Sequence, residues 1–239
     1  MMRKVRADLH LHTCLSPCAD DRMQATAIVK QAKKMGLDMI GICDHNSAEN
    51  VMAVMKAGSR EGLSVIAGME ITCREEAHIL GLFEDESSLM GMQKIVYANL
   101  PATHYDESFG TQTVIDEWDR VVGSNHRLLI GATSLTVEQL VNAIHEHSGI
   151  AIASHVDRER FSLIGQLGFI PEGLSLDAVE VSRPSIMQQE YKYPVVTSSD
   201  AHFLVDIGRN CTCFTLEELS VNEIRKALRS DMGRSLLFN

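Results

Sequence analysis

The sequence predicts an α/β fold built on a largely parallel sheet, open or closed into a barrel. Three observations predict it. Apolar runs of strand length alternate with segments whose apolar residues recur at helical spacing, beginning with "KVRADLHLH" and "ATAIVKQAKKMG". Helix-ending glycines fall between them, Gly36 after the first helix and Gly149 after a later one. Five apolar runs also finish in a side chain able to bind metal, which suits a fold whose strand ends open on one face.

Each element follows in order. After the first strand and helix, "LDMIGICDH" reads as a strand, "NVMAVMKAGSREG" as a helix, and "LSVIAGME" and "HILGLF" as strands. Residues from about 84 to 133 are more polar and lack a clear period. Within them "TVIDEWDRVVGSNHRLLIG" resembles two short strands around a turn, and the stretch is expected to be an insertion on one domain spanning 1–239. "TVEQLVNAIHEHSG" then reads as a helix with Thr136 and Gln139 as a capping box. "IAIASH" is a strand, "AVEVSR", "PVVTSSDAH" and "CTCFTL" form a looser series, and "SVNEIRKALRS" is a last helix with Ser220 and Glu223 as a second capping box.

Composition bounds the function. The 239 residues suit one large domain, and 45% hydrophobic content with scarce aromatics implies an aliphatic core. A net charge of −10 argues against a basic groove for duplex nucleic acid, although bound cations would let small anions approach. No apolar run approaches the roughly 18 residues of a membrane span, and the basic start "MMRKVRADLH" lacks an apolar signal core. Six cysteines in a chain this large point to reduced thiols and a cytoplasmic setting. A zinc site from Cys14, Cys18, Cys211 and Cys213 is conceivable, but neither pair has CxxC spacing.

The strand ends carry the chemistry. The first run ends in His10 and His12, the second in Asp44 and His45, the third in Glu70, then His155, then Asp200 and His202. Residues two apart on a strand point the same way, so His10 and His12 can grip one ion. His78 precedes its apolar run, so that strand is expected to run the other way or bend, and Asp20 sits on a loop after the first pair. Burying so many ionisable groups without a cation would be costly. Nine donors exceed one site, so two or three ions are implied, and an imidazole–carboxylate set suits Zn²⁺, Mn²⁺ or Fe²⁺. Asp44 and Asp21 are expected to support the ligands. His104, His126, His145 and His147 are left without a role, the last two as solvated helix residues.

In this order, "DLHLHT", "DH", "GME", "ASH" and "SSDAH" resemble the PHP (polymerase and histidinol phosphatase) family of metal-dependent phosphoesterases. The resemblance implies a distorted barrel of seven β/α units with a trinuclear centre at its C-terminal mouth. By position it implies His10, His12, Glu70 and Asp200 on one ion. Glu70 would bridge to a second ion held with His78 and His155, and Asp20, His45 and His202 would hold the third. "SPCADD" departs from the family's SDG-type triplet, leaving Asp20 or Asp21 as the loop ligand. The compact form with an insertion before "ASH" resembles phosphatases of small nucleotides, so nucleoside 3′,5′-bisphosphates or short oligonucleotides are the expected substrates. Arg158 and Arg183 are candidate phosphate clamps, with Arg209 a weaker third. Three other readings compete: a histidinol-phosphate phosphatase, a metal-dependent amidohydrolase, and a non-catalytic, metal-stabilised binding module.

Overall fold

The computed structural model describes residues 1–103, 105–106, 110–183 and 191–237; His104 lies outside them. Nine strands form one curled sheet in the order β11-β10-β1-β2-β3-β4-β7-β8-β9. These are β1 (Arg3–Leu11), β2 (Met39–Ile42), β3 (Ser64–Thr72), β4 (His78–Phe83), β7 (Ile150–Ala153), β8 (Ala178–Val181), β9 (Val195–Thr197), β10 (Thr212–Leu216) and β11 (Ser235–Leu237). A separate hairpin pairs β5 (Thr113–Ile115) with β6 (Val121–Ser124), where two strands around a turn were expected.

β1, β2 and β3 run parallel, as do β7, β8 and β9, whereas β4 runs antiparallel to both β3 and β7. That reversal answers the question raised by His78. The start of β4 lies beside the ends of its neighbours, so His78 reaches the same mouth. The sheet curls until the chain after β9 returns to β1: Leu11 bridges Ala201, and His12 N–H donates to Ala201 O at 3.0 Å. Seven strands thus surround an interior filled by residues such as Leu9, Leu80, Leu82, Ile150 and Ile152. The helix α6 (Val221–Leu228) contributes Val221, Ile224 and Leu228 to the same cluster.

The remaining helices pack outside. α1 (Ala25–Lys34), α2 (Val51–Glu61) and α4 (Val137–Glu146) bury their apolar faces in one helix-side core. α1 ends before Gly36 at φ 69°, and α4 carries both halves of the Thr136–Gln139 capping box. Two helices depart from expectation. α3 (Glu86–Asn99) occupies the start of the 84–133 stretch, capped by Asp85, whose carboxylate accepts from Ser88 N–H. It buries Leu89, Met92, Gln93 and Val96, a narrow stripe interrupted by serines and glycine, so its period was faint. A short α5 (Leu163–Leu167) begins after the Ser162 cap. On α6 only the Ser220 half of the capping box forms. The Glu223 carboxylate instead accepts from Glu217 N–H and Arg234 Nε.

Candidate metal centre

β1 brings the first donors into place through an irregularity. In a regular strand Leu9 and Leu11 would share a face. The β1–β2 register shifts between Asp8 and Leu11, sending Leu9 into the interior cluster and Leu11 to the helix side. His10, within this shift, and His12, just past it, are both fully buried at the mouth. Two further donors sit on backbone in the left-handed region, His155 at φ 29° and Asp200 at φ 50°. Such strain persists where the surroundings over-determine it, and it clusters at functional sites.

Glu70 is the hub. Its Oε1 lies 3.0 Å from His78 Nδ1, 3.2 Å from His155 Nε2 and 3.4 Å from His10 Nε2. Its Oε2 lies 3.2 Å from His45 Nδ1 and 3.4 Å from His12 Nε2. Asp200 Oδ1 lies 3.1 Å from His12 Nε2 and 3.3 Å from His10 Nε2. His202 donates through Nδ1 to the Asp200 carbonyl at 2.9 Å, with its ring 4.1 Å from that of His12.

Electrostatics within the cluster are mutual. Burial alone would raise the Glu70 carboxyl, but the charge of His78 and of His10 holds it well below the usual carboxylate range. Burial opposes charge on His12 as well, yet hydrogen bonds to Asp200 and Glu70 raise it to about 9. Burial and the neighbouring His12 push His202 down to about 4 and His45 well below its ordinary value. His45 and His202 are thereby favoured in the neutral form that metal ligation needs, whereas the flanking carboxylates favour the charged form of His12, which would yield its proton to an ion.

The donors fit divalent ions. Among the described residues three groups converge with ligand atoms within 4.8 Å of one another: His10, His12, Glu70 and Asp200; His45, Glu70 and His78; and His12, His45 and His202. Among the described residues His45 Nδ1, which faces Glu70 Oε2, and His155 Nδ1 are buried without a well-aligned hydrogen bond. Among the described residues no cysteine belongs to these groups.

Behind the cluster lies a layer of buried hydrogen bonds. Asp44 accepts from Thr13 N–H, Thr13 Oγ1 and Ser16 Oγ, each at 2.7 Å, and Ser16 Oγ stands 3.0 Å from His12 Nδ1. The sequence reading missed Glu180 on β8. This buried carboxylate lies 3.0 Å from His10 Nδ1 and accepts His155 N–H at 3.2 Å. Its only signal was an acid amid apolar neighbours in "AVEVSR".

Several expected residues stand elsewhere. Asp20 does not join the cluster: its carboxylate is clasped by Arg22 Nε and Nη2 at 2.7 and 2.9 Å, which lowers it to about 2. Asp21 accepts from Thr111 Oγ1. Arg183 is exposed and turned onto Asp157, donating to its carbonyl at 3.2 Å, because Asp157 also accepts the backbone N–H groups of Ser182 and Arg183. Arg209 faces Asp206 across 3.8 Å. Arg158 alone of the three arginines reaches the centre, with Nη1 2.5 Å from Asp200 Oδ2. It lines a cavity of about 450 Å³ together with Cys18, Ile130, Arg160 and Phe161. His145 is half-buried against Asp177 at 2.9 Å, and His147 Nδ1 donates to Ala143 O, so neither is simply solvated.

The model of the PHP domain matches residues 8–171, and a PHP-associated model matches residues 187–231, which include Asp200 and His202. The chain belongs to the PHP domain family. Among relatives of this PHP chain, MJ1587 of Methanocaldococcus jannaschii is 32% identical over 96 residues, 37% of this chain and 56% of that protein. A 5′-3′ exoribonuclease of Haemophilus influenzae is 30% identical over 83 residues, 34% of this chain and 29% of that protein. The lesion-specific endonuclease Q of Pyrococcus furiosus shares the fold at TM-score 0.69 and 18% identity, covering 99% of this chain and 58% of that one. Endonuclease Q bound to a 27-mer duplex with an abasic lesion gives TM-score 0.73 at 18% identity, covering 98% and 58%. The matches span less than two thirds of each of these proteins.

The duplex complex corrects one expectation. Overall acidity was read as excluding duplex nucleic acid, yet a protein of this fold holds a duplex with the lesion at its active site. Net charge is a sum over the surface, whereas a phosphate meets only the local field at the mouth, where Arg158 and Arg160 stand. Among the described residues no helix is long and apolar enough to cross a membrane.

Proposed function

We propose that this PHP chain hydrolyses phosphate esters with divalent metal ions, and that its substrate is a small nucleotide such as a nucleoside 3′,5′-bisphosphate or a short oligonucleotide. The observation that carries this reading is the Glu70 carboxylate, whose two oxygens face different imidazoles in the manner of a bridge between ions. His10, His12, Glu70 and Asp200 would hold one ion, and Glu70, His78 and His155 a second. His45 and His202 would contribute to a third, with Mn²⁺, Zn²⁺ or Fe²⁺ suited to these donors. Bound ions of this kind supply positive charge to phosphoryl oxygens and acidify water near neutral pH.

The chain's own groups set the geometry. Glu180 and Ser16 fix the ring orientations of His10 and His12 from behind. Arg158 secures the outer oxygen of Asp200 and has further N–H groups for a phosphoryl oxygen. Arg160 extends this positive edge along the cavity.

A second reading is a nuclease acting on a lesion-bearing duplex. The fold shared with the duplex-bound endonuclease Q favours it. Both are tested by following phosphate release from adenosine 3′,5′-bisphosphate, AMP and histidinol phosphate, and cleavage of an abasic duplex, with Mn²⁺ and with EDTA. Metal-dependent release from a nucleotide supports the first reading, and cleavage of the duplex alone supports the second. No turnover of any of them by metal-loaded protein would overturn both.

A further inference from the structure

Phe161 occupies an unusual position for an aromatic residue. Its backbone is left-handed at φ 58°, a region that bulky side chains seldom adopt. The residue nevertheless remains 46% exposed, so burial does not account for the strain. One face is covered by His78, with ring centroids 5.0 Å apart and planes 12° from parallel, and the Phe161 carbonyl accepts His78 N–H at 2.9 Å. The rest of the ring lines the cavity over the metal centre. Ile130, also exposed at 42%, lines that cavity too. Beside Phe161, Arg160 lines it with no hydrogen-bond or ion-pair partner among the described residues.

These features describe a slot with apolar walls, a donor set at its floor and an uncommitted guanidinium at its rim. Phe161 and Ile130 offer no hydrogen bond to a sugar or polyol, so a hydroxylated leaving group entering between them would lose its water without replacement. A flat π-system loses little and gains stacking. Backbone strain at a ligand-facing residue is characteristic of clamps.

Resting on the hydrolase reading above, we infer that Phe161 is a stacking platform for an aromatic base of the substrate, with Arg160 meeting its phosphate. The site therefore selects nucleotides over phosphate esters whose alcohol carries no aromatic ring. Phe161 is a specificity residue that touches substrate, distinct from the ligands beneath it.

The test uses the full chain loaded with Mn²⁺ and compares Phe161→Leu, which keeps apolar cover on His78 but removes the π face, with Phe161→Tyr, which retains it. Three quantities are read: kcat/KM for AMP and for glycerol 2-phosphate, AMP binding by equilibrium dialysis, and bound Mn²⁺. For Phe161→Leu, the AMP-to-glycerol-phosphate ratio is expected to fall about tenfold, mainly through KM. AMP binding should weaken in parallel at wild-type Mn²⁺ content, and Phe161→Tyr should restore both. An unchanged ratio, or equal loss on both esters together with lost Mn²⁺, would reduce Phe161 to a prop for His78 and overturn the inference. If the wild-type chain turns over neither ester, the hydrolase reading fails separately. Dialysis still judges the platform: weaker AMP binding by Phe161→Leu upholds it, and equal binding overturns it.

Discussion

The Nδ1 of His10 lies 3.0 Å from Glu180 Oε1 and 3.2 Å from Oε2, with both residues buried. A carboxylate on that side fixes the proton on Nδ1 and leaves Nε2 facing Glu70 and Asp200. Glu180→Gln keeps the shape but removes the charge. Metal affinity, read by competition with a chromophoric chelator, should fall about 10- to 100-fold. Wild-type affinity in that variant would count against the role given to Glu180.

Asp200→Asn separates charge from backbone. Asparagine tolerates the left-handed conformation that Asp200 adopts at φ 50°, so the fold should survive. The variant loses an anionic donor and the partner of Arg158. Turnover of any substrate found should drop by at least about 100-fold, with a circular dichroism spectrum like wild type. EDTA should produce the same loss in the wild-type chain. Near-normal rates in Asp200→Asn would remove it from the proposed ligand set.

Gly41 on β2 is pressed against the irregular part of β1. A Cβ there would lie 2.3 Å from Leu9 O and 2.8 Å from Leu9 C, backbone atoms that cannot swing aside. Gly41→Ala should therefore destabilise the fold by about 1–3 kcal/mol and shift the segment carrying His10 and His12. A fall in both Tm and bound metal is expected; an unchanged Tm would mean the strand accommodates the methyl freely.

A pH effect should appear far from the centre. Hydrogen bonding from Arg234 outweighs burial, and with Lys226 it lowers Glu223 from 4.5 to about 2. A carboxyl depressed in the fold contributes stability that is complete above its unfolded value and fades as pH falls toward the folded one. Glu223→Gln should cost on the order of 1.5–3 kcal/mol at pH 7. That gap should shrink below about pH 4.5 and close near pH 2. Urea unfolding across this range checks it, and a gap independent of pH would refute the ionic origin.

Legibility differed by residue for physical reasons. His10, His12, His45, Glu70, His155, Asp200 and His202 could be picked out because each follows an apolar run, and strand ends in a parallel sheet converge. His78 broke that rule until β4 proved antiparallel. Asp20 was chosen by position in a loop, where no periodicity constrains the side chain, and Arg22 two residues on captured it. Glu180 looked like any single acid in a strand, since its partners are 170 residues away at His10 and 25 at His155. α3 escaped because most of its surface is polar and its buried stripe is narrow.

The sequence by itself determined the alternation of strands and helices, the family, and the kind of chemistry, because each depends on local periodicity and on the order of residue types along the chain. Tertiary structure alone decided which donors meet, which carboxylates are diverted to arginines, and which arginine reaches the mouth. Those outcomes depend on distances of a few ångströms between segments far apart in the chain. They are set by the curl that joins Leu11 to Ala201, the reversal at β4 and the irregularity that turns His10 and His12 toward Glu70.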